Sequence, residues 1–211
     1  MKKLVAFDYD GVIVDSLKVN RQITNDACRE LVKGVREITQ DDIENLNHMS
    51  FQEVAKVIGV PSELIPECLK LINERLVASY SQLSLFDGIT NLVKQLSEDG
   101  YLVAIVTHNT EAAVHSLMRN SGIDQFFCAV LGAETDGEKG DKLKLLQERF
   151  EITAESTYMI GDSVGDIREA KLAGAKAIAV SWGFQSLKRL KTCDPDFIVE
   201  TPKEIEDVLE G

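Results

Sequence analysis

Positive charge is scarce in this chain of 211 residues: 23 Lys and Arg stand against 35 Asp and Glu, giving a formal net charge of −12 and a pI near 4.7. That imbalance argues against nonspecific binding to nucleic acid or anionic membranes, because long-range repulsion opposes each encounter. A locally positive site could still take a small phosphorylated anion. Histidine is rarer still, with His48, His108 and His115 showing no zinc-ligand spacing. The four cysteines, Cys28, Cys68, Cys128 and Cys193, are widely separated and form no Cys-x-x-Cys pair. They read as reduced thiols, not as disulfides or a zinc site. No apolar run approaches the roughly 18 residues of a membrane span. The short stretch after Met1-Lys2-Lys3 is too brief for a signal sequence. These absences together predict a cytoplasmic protein. With 44% hydrophobic and 27% charged residues, the chain can build one sizeable core and a small accessory domain.

What is present is an alternation. Short apolar runs at 4–7, 102–106, 129–131, 158–160, 177–180 and 197–199 predict strands. Helical spacing of apolar residues at 89–98, 111–120, 142–150, 167–173 and 202–209 predicts the helices between them. Such alternation implies an α/β fold, a doubly wound parallel sheet covered on both faces. Residues 16–85 interrupt it, with helical patterns at 17–32, 41–47, 51–58 and 62–80 and no convincing strand. The expected organisation is therefore a core of 1–15 and 86–211 with a small all-α domain of 16–85 inserted after the first strand. Phe86-Asp87-Gly88 marks the return point. Ligands of open α/β sheets sit at the carboxyl ends of the strands, so an insert rooted there is placed to act as a lid.

Four motifs fall at or near those strand ends. Asp8-Tyr9-Asp10-Gly11 follows the first strand, putting two carboxylates one residue apart where an acidic turn would also fit. Thr107-His108-Asn109 follows the second core strand and offers a helix N-cap or a phosphate cradle of hydroxyl and backbone N–H groups. Lys139-Gly140-Asp141-Lys142-Leu143-Lys144 supplies lysines, one of which could offset the charge of a phosphate. Gly161-Asp162-Ser163-Val164-Gly165-Asp166 follows a later strand. Its two acids four apart suit either a helix cap or a hard divalent cation such as Mg²⁺. At average residue frequencies, chance puts both acidic patterns in one chain of this length on the order of 0.2% of the time.

In this order the motifs resemble the haloacid dehalogenase superfamily of phosphohydrolases over nearly the whole chain. The insert is similar to the helical cap of its phosphoglycolate phosphatase-like and β-phosphoglucomutase-like branches. Asp15-Ser16 and Phe86-Asp87-Gly88 support the likeness. The resemblance implies that Asp8 is the nucleophile, forming an aspartyl-phosphate, and that Asp10 is general acid and then general base. Thr107 and backbone groups around Gly11, His108 and Asn109 would hold phosphoryl oxygens. Lys139, or as second choice Lys142, would supply the functional amine. Mg²⁺ would be bound by Asp8, the main-chain carbonyl of Asp10 and Asp162, with Asp166 fixing the metal's surroundings. The implied activity is Mg²⁺-dependent hydrolysis of a small soluble phosphomonoester of the phosphoglycolate or sugar phosphate type, by a monomer or homodimer. A sugar phosphomutase and a non-catalytic binding module are the alternatives. The second Asp makes carbon–halogen cleavage unlike this chain. Asn20, Arg21, Asn47 and His48 are the candidates for reading the leaving group. Trp182 is expected to pack near a loop, and His115 to lie on a helix surface.

Overall fold

The computed structural model describes residues 2–79 and 83–211. Six parallel strands form one sheet: β1 (Leu4–Phe7), β4 (Leu102–Val106), β5 (Ala129–Leu131), β6 (Thr157–Gly161), β7 (Lys176–Val180) and β8 (Phe197–Val199). Their order is β5-β4-β1-β6-β7-β8. Leu4 to Phe7 pair with Leu102 to Ile105 on one side and Thr157 to Ile160 on the other. The chain winds outward from β1 in one direction, then returns beside it and winds outward in the other. The carboxyl end of β1 is thus the point at which the winding reverses, where open α/β sheets bind ligands.

Residue size separates the two faces. Val5, Phe7, Val103, Ile105, Ile160 and Ile178 point to one side, into a core with α5 (Ile89–Glu98), α6 (Glu111–Asn120) and α10 (Pro202–Glu210). Ala6, Ala104, Ala177 and Ala179 point to the other, under α7 (Lys139–Phe150) and α8 (Val164–Leu172). Period-2 alternation along each strand produces this division. The strands are buried on both faces, which is why they read in sequence as continuous apolar runs.

Between β1 and α5 lies the helical segment: α1 (Leu17–Leu31), α2 (Gln40–Asn45), α3 (Phe51–Val57) and α4 (Ile65–Ser79), the last preceded by a 3₁₀ turn at Ser62–Leu64. The helix expected over 62–80 ends at a position outside the described residues. The segment has its own apolar cluster of Ala27, Cys28, Ile43, Val54, Ile72 and their neighbours, joined by Phe184 from the core.

The structure adds a ribbon to the expected all-helical insert. β2 (Val14–Asp15) pairs antiparallel with β3 (Ser84–Leu85), so the chain leaves and re-enters the core side by side. Two further helices start earlier than their apolar spacing indicates, α7 at Lys139 and α8 at Val164. Each has a glycine and an aspartate in its first turn, which dilutes the 3.6 period. A short helix, α9 (Leu187–Leu190), completes the elements. Among the described residues, no helix is long and apolar enough to cross a membrane.

Candidate active site

The carboxyl ends of β1, β4 and β6 bring three of the four motifs together. β1 delivers Asp8, whose backbone N–H still donates to the Ile160 carbonyl of β6. Asp8 Oδ1 accepts from the Tyr9 amide at 2.7 Å, and Oδ2 lies 2.8 Å from Lys139 Nζ. The same ammonium donates to Asp166 Oδ1 at 2.6 Å. Asp166 Oδ2 accepts from the Ser163 amide and hydroxyl, at 3.1 and 2.7 Å. Asp166 therefore caps α8 with one oxygen and meets the lysine with the other. Asp162, at the end of β6, accepts from the Phe184 amide at 2.6 Å through Oδ2.

Carboxylate oxygens of Asp8, Asp162 and Asp166 all lie within 4.8 Å of one another, and all three residues are buried. Like charges this close, removed from water, disfavour ionisation. Burial, partly offset by Lys139 and reinforced by Asp166, pushes Asp8 up to about 7. Burial, then Asp166 and Asp8, pushes Asp162 well above the usual carboxylate range. Burial by itself would lower the Lys139 pKa, but the carboxylates of Asp166 and Asp8 outweigh it and raise it, so this ammonium stays charged. One fixed cation facing three carboxylates leaves a deficit of positive charge. Hard oxygen donors in that arrangement suit a divalent cation of the Mg²⁺ type.

Two glycines make room for this cluster. Gly11 has φ +79°, and a Cβ there would sit 2.0 Å from Asp162 Oδ2; at Gly183 a Cβ would meet the Asp162 Cβ at 2.1 Å. Backbone from two loops thus presses on one carboxylate, which only glycine permits. The Gly11 amide itself donates to the Val14 carbonyl at 2.9 Å, within its own turn.

Asp10 sits at the mouth of the cluster. One of its oxygens accepts from the Ser16 hydroxyl and from Asn20 Nδ2, the latter at 3.2 Å, and the other accepts from Asn109 Nδ2. Thr107 is buried at the end of β4, and its hydroxyl accepts from the Asn109 amide at 3.1 Å. His108 lines the same space; burial and the charges of Lys139 and Lys142 push it down to about 4, so it is neutral near pH 7.

Lys142 lies elsewhere. It is buried, and its ammonium donates to the Thr107 and Gly132 carbonyls at 2.9 and 2.7 Å, tying the loops after β4 and β5. The four candidates from the helical segment also divide. Asn20 and Arg21 line the cavity above Asp8 and Asp10. Asn47 accepts from Arg168 and Arg189 on the core, at 3.2 and 3.0 Å. His48 borders a neighbouring cavity with Glu138 and Asp166. Trp182 donates to the Val12 carbonyl at 3.2 Å and meets Phe86 edge-on. His115 is paired with Asp124 at 2.6 Å.

Two residues without a sequence signal prove central. Phe184 lines the cavity and packs into the insert's apolar cluster. Gln185, 1% exposed, accepts from the Val164 amide at 2.8 Å and donates to the Ile43 and Leu46 carbonyls, both at 2.9 Å. The strand-end Trp182-Gly183-Phe184 was the one local hint of this loop.

A doubly wound sheet with buried carboxylates at its reversal point and a helical segment beside them is the architecture of an α/β enzyme with an acidic site at the strand ends. Residues 5–180 match the model of the haloacid dehalogenase-like hydrolases, and the chain belongs to that family. Among its relatives is a phosphoglycolate phosphatase of Synechococcus elongatus, 25% identical over 95% of this chain and 94% of that protein. Another, from Vibrio vulnificus, is 27% identical over 98% and 96%. A haloacid dehalogenase-like hydrolase from Streptococcus pneumoniae shares the fold, with a TM-score of 0.85 at 23% identity over 98% of both chains.

Proposed function

We propose that this phosphatase hydrolyses a small phosphomonoester with Mg²⁺, through an aspartyl-phosphate on Asp8. The observation that carries the reading is the shared ammonium of Lys139, held 2.8 Å from Asp8 and 2.6 Å from Asp166 among three buried carboxylates. A carboxylate meets a phosphate dianion only where positive charge offsets the repulsion. Asp8, Asp162 and the Asp10 carbonyl would hold Mg²⁺, with Asp166 beside them, and the ion would supply Lewis-acid stabilisation of phosphoryl charge.

In this reading an Asp8 oxygen forms a bond to phosphorus as the bond to the leaving alkoxide breaks. Asp10, oriented by Ser16, Asn20 and Asn109, gives the alkoxide its proton. Asp10 then takes a proton from water, which attacks phosphorus, releases phosphate and restores Asp8. Thr107 and the backbone amide of His108 would hold phosphoryl oxygens, while the Asn109 amide orients the Thr107 hydroxyl to which it donates. Gly11 serves by lacking a side chain, since its amide is already bonded in the turn. Residues 16–85 act as the cap over a core of 1–15 and 86–211, and the relatives' names suggest phosphoglycolate among the substrates to test.

Turnover of a generic aryl phosphate with Mg²⁺ tests the reading. Asp8→Asn should lower kcat by roughly 10³-fold or more, because no alternative nucleophile shares its position. A variant that kept the wild-type rate would remove Asp8 from the chemistry.

A further inference from the structure

The walls above the carboxylates have a different chemistry from the floor. α1 turns Leu17, Asn20, Arg21 and Thr24 toward the cavity at helical spacing, and α4 adds Leu69, Asn73 and Val77 in steps of four. Met49 and Phe51 close a third side. The resulting cavity measures about 390 Å³ and ends on Asp8, Asp10 and Lys139. Pockets of this size and apolar lining suit small organic ligands. Val77, at the cavity's rim, is 61% exposed.

The walls carry little charge: the paired cations Arg29, Arg36, Lys56 and Arg75 of the helical segment lie outside the cavity lining. Among the described residues, Arg21 is the one cation that the helical segment brings to the cavity, and its guanidinium already donates to the Ile38 carbonyl at 3.0 Å. A two-carbon acid would bring a second anion with little apolar surface to bury. A sugar would bring many hydroxyls, each of which loses water here and needs a partner, and the side chains able to meet them, Asn20, Thr24, Ser50, Gln52 and Asn73, are outweighed by the apolar lining between them. An apolar body costs nothing of that kind and gains from burial.

We infer that the leaving alcohol of the preferred substrate carries an apolar body, an alkyl chain or an aryl ring, seated against Leu17, Met49, Phe51, Leu69 and Val77. This rests on the phosphatase reading above and names the class of substrate for that same site. The phosphate lies at Asp8 and the apolar body extends beneath α4, so affinity should track apolar length and not added charge.

A series of ethyl, butyl and hexyl phosphates tests this at nearly constant leaving-group basicity, with phosphoglycolate and glucose 6-phosphate as comparisons. We expect kcat/KM with Mg²⁺ to rise roughly two- to fourfold per methylene and hexyl phosphate to exceed both polar esters. Leu69→Gln and the shape-conserving, surface-tolerant Val77→Thr should each flatten the chain-length dependence. Calorimetric binding of ethyl-, butyl- and hexylphosphonate, which cannot be hydrolysed by this route, reads the pocket without turnover. A flat series, or preference for phosphoglycolate or glucose 6-phosphate, overturns the inference and leaves the phosphatase reading intact. No turnover of any ester alongside phosphonate affinity rising with chain length would remove the phosphatase reading and keep the apolar pocket.

Discussion

Two lysines three positions apart on α7 show how differently one residue type can be used. Lys139 is surrounded by carboxylates and Lys142 by carbonyl oxygens. Removing the first leaves Asp8 and Asp166 buried and facing each other; removing the second leaves two backbone acceptors without their donor. Lys139→Met should therefore abolish phosphatase turnover, and without Mg²⁺ it should cost roughly 3–5 kcal/mol, as breaking a buried pair does. Lys142→Met should cost roughly 1–3 kcal/mol of unfolding free energy, with the smaller loss of turnover. Urea titration beside a turnover assay separates the two, and equal inactivation by both would refute the division. In the sequence these lysines were distinguishable only through the family resemblance. Both are polar positions near a helix start, and what faces them comes from the ends of β1, β4 and β5 and from α8, mostly distant in the chain. Asp8, Asp10, Asp162 and Asp166 stood out as candidates because two such acidic patterns are rare in one chain, although a helix cap also explained the second pair and Asp166 does cap α8.

At the scale of elements, the six core strands were readable because burial on both faces leaves continuous apolar runs. The β2–β3 ribbon was not, since two residues cannot show a period. Gln185 was equally invisible, although it is a buried tie between α8 and the helical segment, beside the exposed Arg168–Asn47 bond. Its amide joins the first turn of α8 to the carbonyls of Ile43 and Leu46, while Ser186 donates its backbone amide to Glu44 beside it. Gln185→Ala orphans those buried groups and should cost roughly 1–3 kcal/mol. Hydrogen exchange should show faster opening at 40–47 while β1 and β6 keep their protection; unchanged exchange at 40–47 would dismiss the tie.

The same segment carries an acid-sensitive element. Asp42 caps α2 through Thr39 and meets Arg36 with both oxygens, at 2.6 and 2.7 Å. The Arg36 guanidinium, helped by the Thr39 bonds, holds Asp42 well below the usual carboxylate range. A depressed folded-state pKa stabilises above the unfolded value near 3.9 and is lost as pH falls below it. Acid titration below about pH 4 should thus loosen α2 before the sheet, and Asp42→Asn should remove roughly 0.5–2 kcal/mol near pH 7 while blunting that dependence. Circular dichroism of the two proteins between pH 3 and 7 makes the comparison.

For the molecule as a whole, the proposed function separates what would bind the cation from what would shape the substrate. Every carboxylate of the cluster comes from the sheet side, at the ends of β1 and β6 and the start of α8. The helical segment instead has its own apolar cluster, which among the described residues only Phe184 enters from the core. Mg²⁺ should therefore stabilise the two parts unequally. A cation that binds the folded state alone adds about 2.7 kcal/mol at one hundred times its dissociation constant. For a chain of this size that raises Tm by roughly 5–10 °C. Asp162→Asn should erase most of the rise. Exchange protection gained with Mg²⁺ should appear in β1, β6 and the 183–186 loop and be small in α3 and α4, whose packing the ion does not touch. Equal gains in α4 would mean that the segment and the sheet respond as one body, and substrate selection could then no longer be treated separately from metal binding.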